Sequence, residues 1–258
     1  MILAVCIQNS ITTLAGYSDD GSRVFSASTA TDPRATSDRL AVDYSQLMML
    51  CGVKPTDASG GIIASVVPAM TDAASDAVKR ITGRRPMTVG PGTRTGFAIE
   101  SSNPSELGAD IVAVIAGALA KFEPPLVVTY FCDMLVVAAV DDKRRFRGCA
   151  IMPGVKTSLE ALKSAALFSS LGFNFTDAPM GLTTKDAVNS GLSYGIAGAA
   201  EALARRMCDE VGADNVVVTG EQAGEFARRS SLGAVEADGL LCDGLYAIYV
   251  KNAQTGRR

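Results

Sequence analysis

Apolar and polar residues alternate along this chain in short blocks, and these blocks predict strands and helices in a recurring order. The first part contains strand-like runs that are separated by polar turns such as Asp19-Asp20-Gly21. We predict strands at Ile2–Ile7, Thr12–Tyr17 and Arg23–Ala27. Apolar residues at helical spacing then predict a helix over Ala35–Cys51, for which Thr36 or Ser37 could provide the cap.

The remainder of the first half alternates between strand and helix. The apolar run Gly61–Val67 is typical of a strand buried in a parallel sheet. Pro68 follows it directly and is well placed for the first turn of a helix. We therefore predict, in order, a helix from Pro68 to about Ile81, a strand at Met87–Val89 and a helix from Pro104 or Ser105 to Lys121.

The opening pattern then returns in the second half. The predicted elements are strands at Leu126–Phe131, Leu135–Val140 and Phe146–Ile151, helices at Val155–Leu171 and Thr184–Val211, a strand at Val216–Val218 and a helix at Leu240–Lys251. Three strands followed by alternating helices and strands therefore occur twice. This repeat predicts an α/β protein of two ribonuclease-H-like domains of βββαβαβα type, at 1–120 and 121–258, with a ligand cleft between them.

Composition limits the classes of function. The chain has 258 residues and a formal net charge of −3, so nothing in its charge favours a nucleic-acid partner. No apolar run approaches the roughly 20 residues of a membrane helix, and no secretory leader is evident. The six cysteines form no CxxC pair and histidine is absent, which argues against structural zinc and favours reduced thiols in the cytoplasm. A general base must then be Asp, Glu, Lys, Tyr or Cys.

Several motifs occur together in one order and resemble those of type III pantothenate kinases, a family of the actin, sugar kinase and Hsp70-like superfamily. They extend over nearly the whole chain, which makes the resemblance far more specific than one motif would. The motifs are Ala64-Ser65-Val66-Val67-Pro68, Val89-Gly90-Pro91-Gly92-Thr93-Arg94-Thr95-Gly96, Asn103-Pro104-Ser105-Glu106-Leu107-Gly108-Ala109-Asp110, Cys149-Ala150-Ile151-Met152-Pro153-Gly154, Thr184 through Gly195, and Val218-Thr219-Gly220.

The resemblance implies an actin-like ATPase fold and a reaction. Members of the family transfer the γ-phosphoryl group of ATP to the hydroxyl of pantothenate, the first step towards coenzyme A. They use Mg²⁺ and a monovalent cation such as K⁺, and they work as dimers. For this chain the resemblance implies a homodimer or a heterodimer, whose dimerising helices lie in the C-terminal domain.

The resemblance also implies roles for individual residues. Asp110 corresponds to the family's general base, and Thr184 to its pantothenate-contacting threonine. The neighbouring substrate-binding positions are Gly90, Gly92, Gly108 and Ala109. Each also has a purely structural interpretation, since Asp110 could be an ordinary acid in the first turn of a helix. The glycines could be turn residues, and Thr184 could cap a helix.

The departures from the family pattern lie in the two phosphate loops. In the first, Cys6 replaces an acid, Gln8 a glycine and Ser10 a threonine, while Asn9 matches. In the second, Tyr130 replaces the aspartate that binds the monovalent cation. Four further substitutions in this loop are at Cys132, where the family has glycine, at Asp133, where it has the ATP-contacting threonine, and at Leu135 and Val136, where it has threonines. Ile111 replaces the arginine that follows the base, and Glu221 a glycine of the turn near adenosine.

These substitutions are unfavourable for phosphoryl transfer, which depends on metal ions and on close approach of the backbone to phosphate. A cysteine sulfur is a poor ligand for Mg²⁺, and Asp133 puts negative charge where a polyanion should bind. The sequence therefore predicts a catalytically impaired subunit that works with an intact paralogue. Two alternatives stay open: an active kinase with an altered nucleotide site, and a non-catalytic regulatory or binding module. Cys6 and Cys132 are expected to line the cleft, either as reactive thiols or as small apolar fillers.

Overall fold

A computed structural model describes residues 1–100, 103, 106–164 and 171–253. The strands are β1 Ile2–Ile7, β2 Ile11–Tyr17, β3 Arg23–Ala30, β4 Gly60–Ser65, β5 Met87–Thr88, β6 Ala98–Ile99, β7 Leu126–Phe131, β8 Met134–Val140, β9 Arg145–Pro153, β10 Asn215–Gly220 and β11 Val235–Glu236. The helices are α1 Ser37–Leu50, α2 Pro68–Thr82, α3 Ala109–Lys121, α4 Val155–Ser164, α5 Thr184–Val211, α6 Ala223–Arg229 and α7 Leu240–Ala253. A 3₁₀ turn lies at Pro55–Asp57.

The chain forms two compact units, residues 1–121 together with 240–253, and residues 122–239. Strands of the first unit follow the order β3-β2-β1-β4-β5, and those of the second follow the matching order β9-β8-β7-β10-β11. In each unit the first three strands pair antiparallel and the others pair parallel. The predicted α/β class and its duplication are confirmed.

The predicted elements recur in the structure with their ends displaced by a few residues. Thr36 is the cap of α1, because its hydroxyl accepts a hydrogen bond of 3.3 Å from the backbone N–H of Arg39. The predicted start of α3, at 104 or 105, lies outside the described residues, and the helix begins at Ala109. Helix α4 is described as far as Ser164, and its predicted end at Leu171 follows residues 165–170, which are not described. The sequence did not indicate α6 or β11.

Helix α7 is placed differently from the sequence-based expectation. The predicted domain boundary assigned all of 121–258 to the second domain, whereas α7 belongs to the first unit. The physical reason is close packing of α7 on α3, where a Cβ on Gly244 would overlap the carbonyl oxygen of Ala113. A Cβ on Gly117 would likewise overlap the carbonyl oxygen of Leu240. Glycine at both positions allows the two helix backbones to touch.

The core of the first unit lies on both faces of its sheet. Helices α1 and α2 cover one face through Leu40, Tyr44 and Met70 among others. Helices α3 and α7 cover the other face, and α3 is buried continuously from Ile111 to Leu119. A helix that is apolar on all sides is expected where neighbours enclose it. In the part of the chain that the structure describes, no helix is long and apolar enough to cross a membrane.

Candidate functional site

A pocket of about 850 Å³ opens in the first unit, where β4 and β5 end. The carboxyl ends of parallel strands are a common ligand position in α/β folds, because loops diverge from the sheet there. The walls come from the end of β4, the loop after β5 and the first turn of α3. The lining residues are Ser65, Val66, Pro68, Val89, Gly90, Pro91, Gly92, Thr93, Thr95, Phe97, Ile99, Leu107, Gly108, Ala109 and Val112.

Asp110 lies in the first turn of α3, between the pocket residues Ala109 and Val112. Its Oδ1 accepts a hydrogen bond of 2.9 Å from the backbone N–H of Ile111. A Cβ on Gly108 would lie 2.6 Å from the same oxygen, so a residue larger than glycine would displace the carboxylate. Burial raises the pKa of Asp110, and the hydrogen bond from Ile111 opposes that shift. A carboxylate with a raised pKa accepts a proton more readily near neutral pH.

The loop after β5 is held by a short internal turn. The backbone N–H of Thr93 donates to the carbonyl of Gly90 at 3.0 Å, and the Thr93 hydroxyl accepts from the Gly90 N–H at 3.1 Å. Gly92 has a φ of +84° and Gly96 a φ of +92°, conformations that favour glycine. A Cβ on Gly90 or Gly92 would meet no atom within 4 Å, so both glycines border open space.

The predicted substrate positions Gly90, Gly92, Gly108 and Ala109 therefore lie together on one pocket, with Asp110 beside them. Sequence reasoning selected the glycines of these motifs and passed over the hydroxyls of Ser65, Thr93 and Thr95, which line the same pocket. These three residues belong to the motifs that resemble the family, and that membership could have indicated that they line the pocket.

Thr184 does not cap α5, which was one of the two roles predicted for it, and its contact with pantothenate stays a prediction. It is the exposed first residue of α5 in the second unit. The cap is Thr183, whose hydroxyl accepts a hydrogen bond of 3.2 Å from the Asp186 N–H. The capping interpretation was therefore displaced by one residue, because the cap precedes the first helical residue.

The first hairpin turn, between β1 and β2, contains the predicted loop positions Gln8, Asn9 and Ser10. The Gln8 N–H donates to the carbonyl of Ile11 at 3.0 Å, which closes the turn. The carbonyl of Ser10 accepts from the Thr31 N–H, and the Asn9 side chain is exposed. Cys6 does not line an open surface as predicted, because its side chain is fully buried among apolar residues of the first unit. The filler interpretation describes Cys6 better than the reactive one.

The second hairpin turn, between β7 and β8, is packed on the start of α4. The carbonyl of Asp133 accepts from the Gly154 N–H at 3.0 Å and from the Thr157 hydroxyl at 2.6 Å. A Cβ on Gly154 would lie 2.5 Å from the carbonyl oxygen of Cys132. The Cys132 N–H donates to the Met134 carbonyl, so this amide is not directed at a ligand. The Asp133 carboxylate lies 3.5 Å from the ammonium of Lys156.

Side chains around this second turn fill the interior of the unit. Tyr130, Leu135 and Val136 are all buried. Phe131 stacks on Phe226 with centroids 4.1 Å apart and an angle of 5° between the rings. The cavity that both phenylalanines border measures about 20 Å³, which is room for about one water molecule.

The turn at Gly220 is locked onto Phe131. The Glu221 N–H donates to the Phe131 carbonyl at 2.8 Å, and a Cβ on Gly220 would overlap that same oxygen. Phe175 meets Phe226 edge to face at 5.2 Å, and the Arg229 guanidinium lies 5.0 Å from the centre of the Phe175 ring. This aromatic cluster of Phe131, Phe175 and Phe226 therefore covers the end of β10.

The residues at the loop positions do not fit a hard divalent cation. Mg²⁺ takes oxygen ligands, and Cys6 offers a buried sulfur where the family has a carboxylate. Asp133 is already paired with Lys156. Within the described ranges, no cluster of three or more cysteine, aspartate or glutamate side chains could hold a metal ion.

The sequence comparisons with known proteins agree on one family. A sequence model of the type III pantothenate kinases matches residues 2–206. The type III pantothenate kinase of Exiguobacterium sibiricum is 30% identical over 253 residues, which cover 98% of this chain and 100% of that protein. A Baf family transcriptional activator from Campylobacter jejuni is similar in structure, with a TM-score of 0.59, 15% identity and coverage of 98% and 99%.

A ROK family glucokinase from Streptomyces griseus, solved with glucose and AMPPNP, also has a similar structure. Its TM-score is 0.55 at 11% identity, and the match covers 98% of this chain and 99% of the glucokinase. At such identities the structural likeness establishes the fold, which is that of the sugar kinases and actin-like ATPases.

Proposed function

We propose that this chain, which belongs to the type III pantothenate kinase family, is an impaired kinase subunit that binds pantothenate and works with an intact paralogue. The observation that carries the proposal is a contrast within one chain. The pocket beside Asp110 is open, whereas the two hairpin turns expected to bind ATP offer a buried Cys6 sulfur beside the first and an Asp133 carboxylate paired with Lys156 in the second. A cytoplasmic location, expected from the sequence, is part of the same proposal.

The pocket of the first unit suits a small, partly polar substrate such as pantothenate. Its lining combines apolar side chains such as Val66 and Phe97 with hydroxyls and exposed backbone of a glycine loop. Asp110 stands at its edge with a raised pKa, as a base for the substrate hydroxyl requires.

The hairpin turns argue against binding of MgATP in the family's manner. At an effective dielectric constant near 20, two like charges about 4 Å apart repel each other by about 4 kcal/mol. Asp133 would therefore oppose a phosphate group there, although Lys156 offsets part of this repulsion. Tyr130 is buried in the second unit and supplies no carboxylate for K⁺. ATP and its cations would then be bound by a partner chain.

Exposed apolar side chains on the second unit support the binding of such a partner. Met180, Leu182 and Tyr194 are exposed by 82%, 100% and 40%, high values for large apolar side chains. Met180 and Leu182 precede α5. The helix itself exposes Gly191, Gly195 and Gly198 next to Tyr194, where the lack of side chains allows another backbone to approach closely. We propose that this face of α5 binds the intact paralogue, and that the heteromer carries out the family's reaction.

The proposal is tested with the purified chain and, in parallel, with the Exiguobacterium sibiricum relative as a positive control. Calorimetry should detect pantothenate binding by both proteins. Only the relative should form phosphopantothenate from MgATP, and only the relative should be stabilised by MgATP against heat. Co-purification from the native source should recover a paralogue that restores turnover. An inactive chain that also fails to bind pantothenate, with or without its paralogue, would contradict the proposal and favour a regulatory module.

A second candidate, an active kinase with an altered nucleotide grip, is favoured by the intact surroundings of Asp110. The carboxylate keeps its backbone hydrogen bond and its glycine neighbour. Turnover by the chain alone that Asp110→Asn abolishes would establish this second function. Turnover that survives the substitution would instead indicate a contaminating kinase.

A further inference from the structure

The last turn of α7 is bound to the loop that forms one wall of the pocket. The side-chain Oδ1 of Asn252 accepts a hydrogen bond of 3.1 Å from the backbone N–H of Arg94. The Nδ2 of Asn252 donates to the carbonyl of Arg94 at 2.9 Å and to the carbonyl of Ile248 at 2.7 Å. One amide group thus satisfies both backbone groups of Arg94 and is itself anchored on the preceding turn of α7.

The adjacent residue on α7 restrains the other end of the same loop. The aliphatic part of the Lys251 side chain crosses Gly96, where an added Cβ would lie 3.2 Å from Cε and 3.1 Å from Nζ. Gly96 also has a φ of +92°, so two separate conditions favour glycine there. The loop is therefore held by α7 at Arg94 and at Gly96.

In the part of the chain that the structure describes, the tip of the loop is held by short-range contacts. Hydrogen bonds run between Gly90 and Thr93, the Thr93 hydroxyl lies 3.5 Å from the Thr88 carbonyl at the end of β5, and a Cβ on Gly92 would meet nothing within 4 Å. The hydrogen bonds at Arg94 add the connection between this loop and α7. Because α7 also touches α3 at Gly117 and Gly244, one helix sets the position of both pocket walls.

We propose that Asn252 is a positioning residue for the pocket, because its amide fixes the loop of residues 90–96 against the helix that also supports Asp110. The part concerning pantothenate rests on the proposed function. Asn252 is not among the residues that line the pocket, so the proposal assigns it no contact with the substrate. The expected consequence is that pantothenate binds to a preformed wall and pays little ordering entropy.

The test compares Asn252→Ala with Thr82→Val. Thr82 ends α2 and makes a similar side-chain clasp, accepting from the Arg84 N–H at 3.2 Å and lying 2.9 Å from the Arg84 carbonyl, but it does not line the pocket. Hydrogen exchange of the ligand-free protein reports on the loop, and calorimetry reports pantothenate affinity. For Asn252→Ala we expect the Arg94 amide to exchange about tenfold faster. We also expect the pantothenate affinity to fall about tenfold.

Thr82→Val should lower the melting temperature about as much as Asn252→Ala does. It should leave the exchange rate of the Arg94 amide and the pantothenate affinity unchanged. If residues 90–96 exchange at the wild-type rate in Asn252→Ala, Asn252 does not fix this loop, and the proposal is overturned whatever the pantothenate affinity of the variant. Faster exchange with unaltered pantothenate affinity would overturn the positioning role. If the wild-type protein binds no pantothenate, the proposed function fails. The exchange measurement alone then still decides whether Asn252 fixes the loop of residues 90–96.

Discussion

The two units share one strand order, yet the ends of their parallel strands are used in opposite ways. In the first unit, β4 and β5 end at an open pocket of about 850 Å³. In the second, the corresponding β10 ends at Gly220 against the Phe131 carbonyl, and a cavity of about 20 Å³ bordered by Phe131 and Phe226 lies between this strand and α5. The same topology therefore yields a binding pocket in one place and a packed aromatic cluster in the other.

The difference arises from the connections rather than from the sheets. Residues 89–108 connect β5 to α3 and include the glycine loop, whereas residues 237–239 connect β11 to α7. The long connection lines the pocket of the first unit, whereas the short one leads directly to α7 of the first unit and leaves no comparable loop after β11 among the described residues. Side chains then decide the rest, because Phe226 fills the space that remains in the second unit.

The largest expected effect on stability comes from removing a buried ring from the aromatic cluster of the second unit. Phe226→Ala removes a buried ring that stacks on Phe131, and it should lower the free energy of unfolding by about 3–5 kcal/mol. Urea denaturation measures this loss, and Phe226→Leu, which keeps most of the volume, should lose less than about 1.5 kcal/mol. Pantothenate affinity should not change. If Phe226→Ala weakened pantothenate binding instead, the pocket and the aromatic cluster would not be independent.

The second effect concerns the packing that supports the open unit. Gly244→Ala places a methyl group on the Ala113 carbonyl and should destabilise the protein by about 1–3 kcal/mol, with weaker pantothenate binding because α3 moves. Gly198→Ala is the matched control, since its Cβ would meet no atom within 4 Å. In an exposed helix that change should stabilise by about 0.5–1 kcal/mol. Equal effects of the two substitutions would contradict the close contact between α3 and α7.

The third effect is a pH dependence located at Asp110. Burial raises the pKa of Asp110 in the folded protein, so the folded protein binds a proton at this carboxylate more tightly than the unfolded chain does. The stability that this group contributes is fully present below its unfolded pKa of about 3.9 and is lost as pH rises through the folded value. Asp110→Asn should therefore raise the melting temperature at pH 7, and the gain should vanish at the acid end of a thermal-shift series. A gain that is constant with pH would exclude this cause.

The smallest expected effect on stability comes from removing the negative charge of Asp133 at the second hairpin turn while keeping the shape of its side chain. Asp133→Asn breaks a partly exposed ion pair with Lys156 and should change the free energy of unfolding by less than about 1 kcal/mol. It should not restore stabilisation by MgATP, because Tyr130 and Leu135 remain buried beside the turn. MgATP binding by this single variant would show that one negative charge is the whole obstacle.

Much of the site was accessible from the chain alone. The family resemblance assigned Gly90, Gly92, Gly108 and Ala109 to substrate binding, and the structure brings these four residues to one pocket. Thr183 was missed as a cap because two adjacent threonines satisfy the same pattern. The burial of Cys6 was missed because a small apolar side chain is equally compatible with a cleft and with a core.

The sequence by itself determined the order of the elements, the duplication and the loss of acid and glycine at the phosphate turns, since these depend on local pattern and residue chemistry. The tertiary structure alone decided that α7 packs with the first unit and that Asn252 binds Arg94, a partner 158 residues away along the chain. Periodicity describes which face of a helix is buried but not which surface buries it. That choice was made by Gly117 and Gly244, whose missing side chains matter only when the two helices meet.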